Sequence, residues 1–193
     1  MVTLGRGADP AHVLIDEPAL RRAGIERYES GRGGDVTYHG PGQLIGWPVV
    51  RLSAERRDVH RYLRDLEAGL MQTLTEYGIE SGRVDGLTGV WAGGRKVAAI
   101  GVRLCSGWIT SHGFALNVTT DLAGFRHIVP CGISGRGVTS MAELAGRTFA
   151  LAEVAARVAV NVSQTLGYEP RPASAPAELL GAPAAARSNG VAA

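Results

Sequence analysis

The segment from Arg32 to Gln43, RGGDVTYHGPGQ, sets an arginine, an aspartate and a histidine among four glycines within twelve residues. Gly33, Gly34, Gly40 and Gly42 permit close backbone approach that a Cβ forbids, and Pro41 stiffens the turn between two of them. Thr37, Tyr38 and His39, interleaved with those glycines, are side chains that could meet a ligand; the plainer reading is a surface loop in a glycine-rich chain. No Gly-Lys-Ser/Thr follows and the GxGxxG spacing is absent, so neither a P-loop nor a Rossmann turn is present. Lys96 is the only lysine, against nineteen arginines. An ammonium is a compact donor that gives up its proton when desolvated, whereas a guanidinium stays charged, so a single retained lysine points to chemistry as well as to chance. Cys131 stands between Pro130 and Gly132. A thiolate there could take an acyl group from a thioester at little energetic cost, the alternative being a small buried hydrophobe, which is also the reading for Cys105. A neighbouring cation favours the thiolate, and Lys96 is the natural candidate. His39 and His112, both beside glycines, keep a Cys/His arrangement open; His39 reads as a pocket wall or polar contact and His112 as a structural hydrogen-bonding residue.

Composition excludes several classes. A net charge of +2 is too small to indicate nucleic-acid binding, and 45% hydrophobic with 20% charged residues is ordinary for a globular protein. The two cysteines form no CxxC or Cys/His metal spacing, so neither a metal nor a disulfide framework is expected. No apolar run approaches the length of a membrane span, and no signal-peptide zones open the chain, which makes the cytoplasm the default compartment. Arg51, Arg56, Arg57, Arg61 and Arg64 form a local basic cluster, either a solvated helix face or a dock for an acidic protein.

The elements that must position these residues follow from periodicity. Residues 44–52, 97–104 and 115–118 read as strands, with Pro48 marking an edge or a bulge. Apolar residues at Val59, Tyr62, Leu63, Leu66, Leu70 and Leu74 predict a helix over 59–77 stopped by Gly78. A second helix fits 151–166, with Leu151, Val154, Ala155, Val158, Val162 and Leu166 inward and Gly167 as its stop. The fold class expected is α+β, helices packed on a mixed sheet of α/β type, in one catalytic domain over residues 1–168. Residues 169–193, holding four prolines and nine alanines, are expected to form a disordered tail.

Taken together, Arg32 to Val49, GRKVAAIGVR at 94–103, SHGFALNV at 111–118, and VPCGI with GVTSM between Val129 and Met141 resemble the signatures of the lipoyl(octanoyl) transferases. The likeness covers most of residues 2–147 and implies the scaffold of biotin and lipoate protein ligases. It implies that Cys131 accepts the acyl group while Lys96 lowers its pKa, and that Arg32, Gly33, Gly34, Asp35, Val36, Thr37, Tyr38, His39, Ala99, Ile100, Gly101, Gly113, Phe114 and Ala115 bind substrate. The activity implied is transfer of octanoate from octanoyl-acyl carrier protein to a lysine of lipoyl domains, those of 2-oxoacid dehydrogenase E2 subunits and of the glycine cleavage H protein, with no cofactor, ATP or metal. Two alternatives are an ATP-dependent lipoate or biotin protein ligase and a non-catalytic acyl-binding homologue. Two departures stand out. In that family a helix and a strand usually precede the segment matched by Val2 to Arg6, so the chain is expected to lack them, and Gly135 stands where an acidic residue is common.

Overall fold

The computed structural model of the chain describes residues 1–130 and 136–170. Cys131 and the expected tail beyond Pro170 lie outside the described residues. Among the described residues eight strands form two sheets. β1 (Val2–Leu4), β2 (Arg27–Glu29) and β3 (Val36–Tyr38) make a three-stranded sheet in the order β2-β1-β3, with β1 parallel to β2 and antiparallel to β3. β4 (Gln43–Gly46), β5 (Gly82–Val84), β6 (Leu87–Ala92), β7 (Arg95–Cys105) and β8 (Ile109–Asn117) make a five-stranded antiparallel sheet in the order β4-β8-β7-β6-β5. The helices are α1 (Glu17–Arg22), α2 (Val59–Glu76), α3 (Met141–Ala145) and α4 (Leu151–Leu166). The mixed sheet foreseen is thus two sheets, and only the smaller contains a parallel pair.

The expected run 44–52 is a strand only as far as Gly46. Pro48 has no N–H for a ladder, and beyond it a single bridge, Arg51 to Ile109, remains. Its placement on the edge of the larger sheet agrees with that proline.

Both long helices arise from their apolar stripes and pack on the same face of the larger sheet. Leu66, Leu70 and Leu74 of α2 are buried with Val158, Val162 and Leu166 of α4 over Val97, Ala98 and Leu116. Fully burying one such side chain contributes about 1.5–3 kcal/mol. A Cβ on Gly69 would meet the Cα of Val162 at 2.8 Å, so this glycine sets how closely the helices approach. Leu151 departs from the inward stripe expected of it: in the first turn it remains 39% exposed. Asn161 is buried instead and donates to Thr73 Oγ1 (3.0 Å) and Glu76 Oε1 (2.9 Å), satisfying its amide inside the helix pair. A second, smaller core lies behind the three-stranded sheet, where Val2, Leu4, Leu20, Ile25, Val36, Phe125 and Ile128 meet.

Glu67 of α2 is fully buried, and a buried carboxylate must be paired. It accepts from Arg64 at 2.6 Å, from Arg83 at 2.8 Å and from the Gly89 N–H at 3.0 Å. α2 is thereby tied to β6, across which Lys96 lies.

Candidate active site

A cavity of about 690 Å³ opens between the two sheets. β1 and the 30–39 segment line one side; β7 and β8 line the other; Ile45 and Trp47 stand at one margin and Leu87 and Thr88 at another. Its size is ordinary for a small-molecule site, and its walls are mainly apolar, through Ile45, Leu87, Ala99, Ile100, Phe114 and Ala115. Strand alternation explains the division of β7: Ala98 belongs to the helix-covered core while Ala99 and Gly101 face the cavity. A Cβ on Gly101 would lie 2.9 Å from the Gly33 carbonyl oxygen, so this glycine lets the 32–34 segment rest on β7.

Lys96 reaches the cavity through a local irregularity. Gly93 and Gly94, with φ of 55° and 76°, make the two-residue turn between β6 and β7, a turn that needs positive φ at both positions. Lys96 then pairs with Trp91 and Ala98 with Val90, leaving Val97 as an extra residue in the ladder. The side chain of Lys96 is only 6% exposed, and its Nζ lies 4.9 Å from the centroid of the buried Trp91 ring. Arg136 also lies over that ring, at 5.6 Å.

The described neighbours of Cys131 converge on Lys96. Pro130 lines a small cavity together with Lys96, Asn117 and Val138. On the other flank, where β8 has ended, the backbone at 137–139 runs parallel beside β7: Lys96 N–H donates to Gly137 C=O and Thr139 N–H to Lys96 C=O, both at 3.0 Å. Val129 N–H is held by His12 C=O at 2.8 Å, and the His12 ring contacts the Asp35 carboxylate, which lines the larger cavity.

A buried polar chain links cavity and flank. His39 lies between Thr3 Oγ1 (3.1 Å) and Gln43 Oε1 (2.8 Å); Gln43 donates to Asn117 Oδ1 at 2.9 Å, and Asn117 donates to Thr139 C=O at 2.9 Å. With the Gln43 amide nitrogen committed to Asn117 and the Tyr38 carbonyl, its oxygen must accept, which assigns the proton of His39 to Nδ1. Burial pushes the His39 pKa down and the Arg32 guanidinium adds to this, against the opposing bond from Gln43. His112 is lowered likewise, first by burial and then by Arg32 and Arg103. It also holds a positive φ of 58° within β8 and packs edge-on to Trp47 at 5.5 Å.

The model of the lipoyl protein ligase A/B catalytic domain family matches residues 1–163. The octanoyltransferase of Solibacter usitatus is 51% identical over 172 residues, which are 89% of this chain and 77% of that one. The octanoyltransferase of Chloroflexus aurantiacus is 48% identical over 172 residues, covering 88% and 77%. The chain belongs to the octanoyltransferase family. Fold likeness extends to the ligases: a bipartite lipoate protein ligase of Thermoplasma acidophilum, from a structural analysis of it and its E2 lipoyl domain, superposes with a TM-score of 0.68 at 18% identity over 89% of this chain and 69% of that one. The biotin protein ligase of Aquifex aeolicus gives 0.52 at 20% over 65% and 53%. The α+β class and the ligase-like scaffold expected from the sequence are therefore present.

Of the residues read from the sequence, this octanoyltransferase fold brings Lys96, Arg32, Gly34, Asp35, Val36, Thr37, His39, Ala99, Ile100, Gly101, Gly113, Phe114 and Ala115 to one cavity. Gly33 bonds backbone to Val102 at 2.8 Å, and Tyr38 turns to the smaller core, edge-on to Phe125 at 5.3 Å. Cys105 is exposed at the end of β7 rather than buried, because its neighbour Leu104 takes the face that packs on the core and strand alternation turns Cys105 away from it. Thr3, Ile45, Trp47, Leu87 and Thr88 line the cavity without having been singled out; only the alternation through Ile45, Trp47 and Val49 signalled any of them. Among the described residues no group of acidic, histidine or cysteine side chains could hold a metal ion.

Two outcomes follow from this geometry. The aromatic face of Trp91 favours the ammonium that lies over it. With Lys96 paired to Cys131 as the family resemblance implies, Trp91→Leu should move the pH-rate profile of Cys131 alkylation upward, and Trp91→Phe by less. Mass mapping of the alkylated peptide separates Cys131 from Cys105. For His39, folding lowers the pKa below its ordinary value of about 6.5. Below that pH the unfolded chain takes up a proton that the folded chain refuses, so stability, complete above pH 6.5, should decline as pH falls through it. Denaturant titrations between pH 8 and 5 should show this slope, and His39→Gln should reduce it.

Proposed function

We propose that the chain transfers an octanoyl group in two steps through Cys131. The Cys131 thiolate attacks the thioester carbon of octanoyl-acyl carrier protein; the tetrahedral oxyanion collapses, the carrier thiolate leaves and takes a proton, and an octanoyl-Cys131 thioester remains. The ε-amine of a lysine on a lipoyl domain then attacks that thioester, loses its proton, and expels the Cys131 thiolate, leaving an amide. The first exchange is nearly balanced and the second is downhill, so the cycle requires neither ATP nor metal. Acceptors are lipoyl domains, those of 2-oxoacid dehydrogenase E2 subunits and of the glycine cleavage H protein.

The single observation that supports the site assignment is the convergence of both flanks of Cys131 on Lys96, Pro130 through the shared small cavity and Val138 through backbone pairing. A cation beside a cysteine favours the thiolate, and a lysine that can exchange a proton serves the incoming amine. The apolar cavity beside Lys96 suits an octanoyl chain, and backbone N–H groups near its glycine turns suit an oxyanion.

Intact mass after mixing with octanoyl-acyl carrier protein, without nucleotide or divalent metal, tests the reading. One octanoyl adduct, mapped to Cys131 and discharged by a lipoyl domain, is the expected result. Acyl transfer from free octanoate that strictly needs ATP would make the chain a ligase instead. Binding of octanoate with no adduct would leave a non-catalytic homologue.

A further inference from the structure

Along the edge of the larger sheet, residues 45 to 51 alternate strictly. Ile45, Trp47, Val49 and Arg51 face outward; Trp47 is 65% and Val49 60% exposed, whereas the residues between them are partly covered. Exposed apolar side chains in a row are uncommon on a sheet edge, and among the described residues no strand pairs with the outer side of this one. The row begins at the cavity, since Ile45 and Trp47 line it, and ends at a cationic surface. Tyr62 of α2 donates to Pro48 C=O at 3.0 Å, so the positive N-terminal end of α2 lies directly behind the row. Exposed Arg51, Arg57 and Arg61 outnumber Glu55 and Asp58 there, and Asp58 is engaged in capping the helix.

We propose that the row Ile45, Trp47, Val49 and Arg51 is the dock for the acyl donor, an acidic carrier protein that delivers its octanoyl thioester on a long prosthetic arm. This rests on the octanoyl transfer put forward above. Reach chooses the donor over the lysine-bearing acceptor. Arg51 bridges to Ile109, which pairs with Cys105, nine residues along β7 from Lys96; at about 3.3 Å per residue that is roughly 30 Å of strand. A lysine side chain, with its four-carbon stem, must be presented directly above Lys96, whereas a carrier with a long arm reaches it from the far end of the row. Pro48 removes an N–H from the middle of the edge, which disfavours recognition by an added strand. Recognition by side chains remains, an aromatic and two aliphatic residues with arginines at one end, which matches an acidic surface carrying apolar residues.

Val49→Asp and Arg51→Glu, both outside the cavity, test the dock. With octanoyl-acyl carrier protein as donor, KM should rise about tenfold or more in each variant. The rate with octanoyl-coenzyme A, a donor with no carrier protein, and the discharge of preformed octanoyl-enzyme by a lipoyl domain should both stay unchanged. Wild-type KM for the carrier should also rise with ionic strength. A loss confined to discharge by the lipoyl domain would make the row an acceptor surface and overturn the proposal, as would unchanged KM for the carrier. The transfer reading itself is judged separately, by whether the wild type takes octanoate from octanoyl-coenzyme A onto Cys131. Titration of the octanoyl-free carrier protein, which needs no chemistry, should show the same tenfold weakening if the dock is real.

Discussion

Replacing Cys131 by alanine should reduce acyl transfer by on the order of 10⁴-fold or more, the scale seen when a covalent nucleophile is removed. In the cycle proposed above both half-reactions depend on the same sulfur, so neither acyl-enzyme formation nor discharge would have an alternative route. Cys105→Ala should retain most activity: Cys105 is exposed at the far end of β7, and its sulfur lies 3.8 Å from the Ser111 hydroxyl, far along the strand from Lys96. Single-turnover transfer from octanoyl-acyl carrier protein, followed by mass, measures both variants. Full activity in the Cys131 variant with loss in the Cys105 variant would reverse the assignment.

Lys96→Arg should lose activity by about 10²–10⁴-fold, the usual value of positioned acid–base assistance. The substitution keeps a positive charge and leaves the backbone bonds of residue 96 to Gly137 and Thr139 in place, so a fold-level explanation is weak. What it removes is a proton that can be given up and regained, since a guanidinium does not deprotonate in proteins. It also sets a planar fork where a compact ammonium lies over Trp91. The discharge step, in which the acceptor amine must shed a proton, should suffer more than the alkylation of Cys131 by a small reagent. Near-wild-type rates in both steps would reduce Lys96 to a source of charge.

Much of this was legible in the sequence because its signals were local. The helices α2 and α4 announced themselves by long 3.6-residue periodicity, and β7 by a run of β-branched and small residues. The three-residue strands β1, β2, β3 and β5 carry too few positions for alternation to register, and the smaller sheet, built by the first three, pairs β1 with segments more than twenty residues on. The polar chain His39, Gln43, Asn117, Thr139 was likewise invisible, because it joins three distant segments through contacts that no spacing encodes. Tyr38 shows the reverse case: its motif suggests a ligand contact, yet tertiary packing against Phe125 turns the ring into the smaller core. Leu151 fits the stripe of its helix but, as its first residue, stays largely exposed.

The pairing of Lys96 with both Gly137 and Thr139 has a kinetic side. These two bonds fasten the backbone following residues 131–135 to a central strand of the larger sheet, not to another loop. Amide protons in such a strand exchange with solvent only through openings that approach global unfolding, while loop amides exchange through small local fluctuations. The amides of Lys96 and Thr139 should therefore exchange at matched slow rates, with the seam between them parting only when the sheet itself opens. The proposed acyl-enzyme cycle would then run on a scaffold whose lysine and downstream flank keep their spacing throughout.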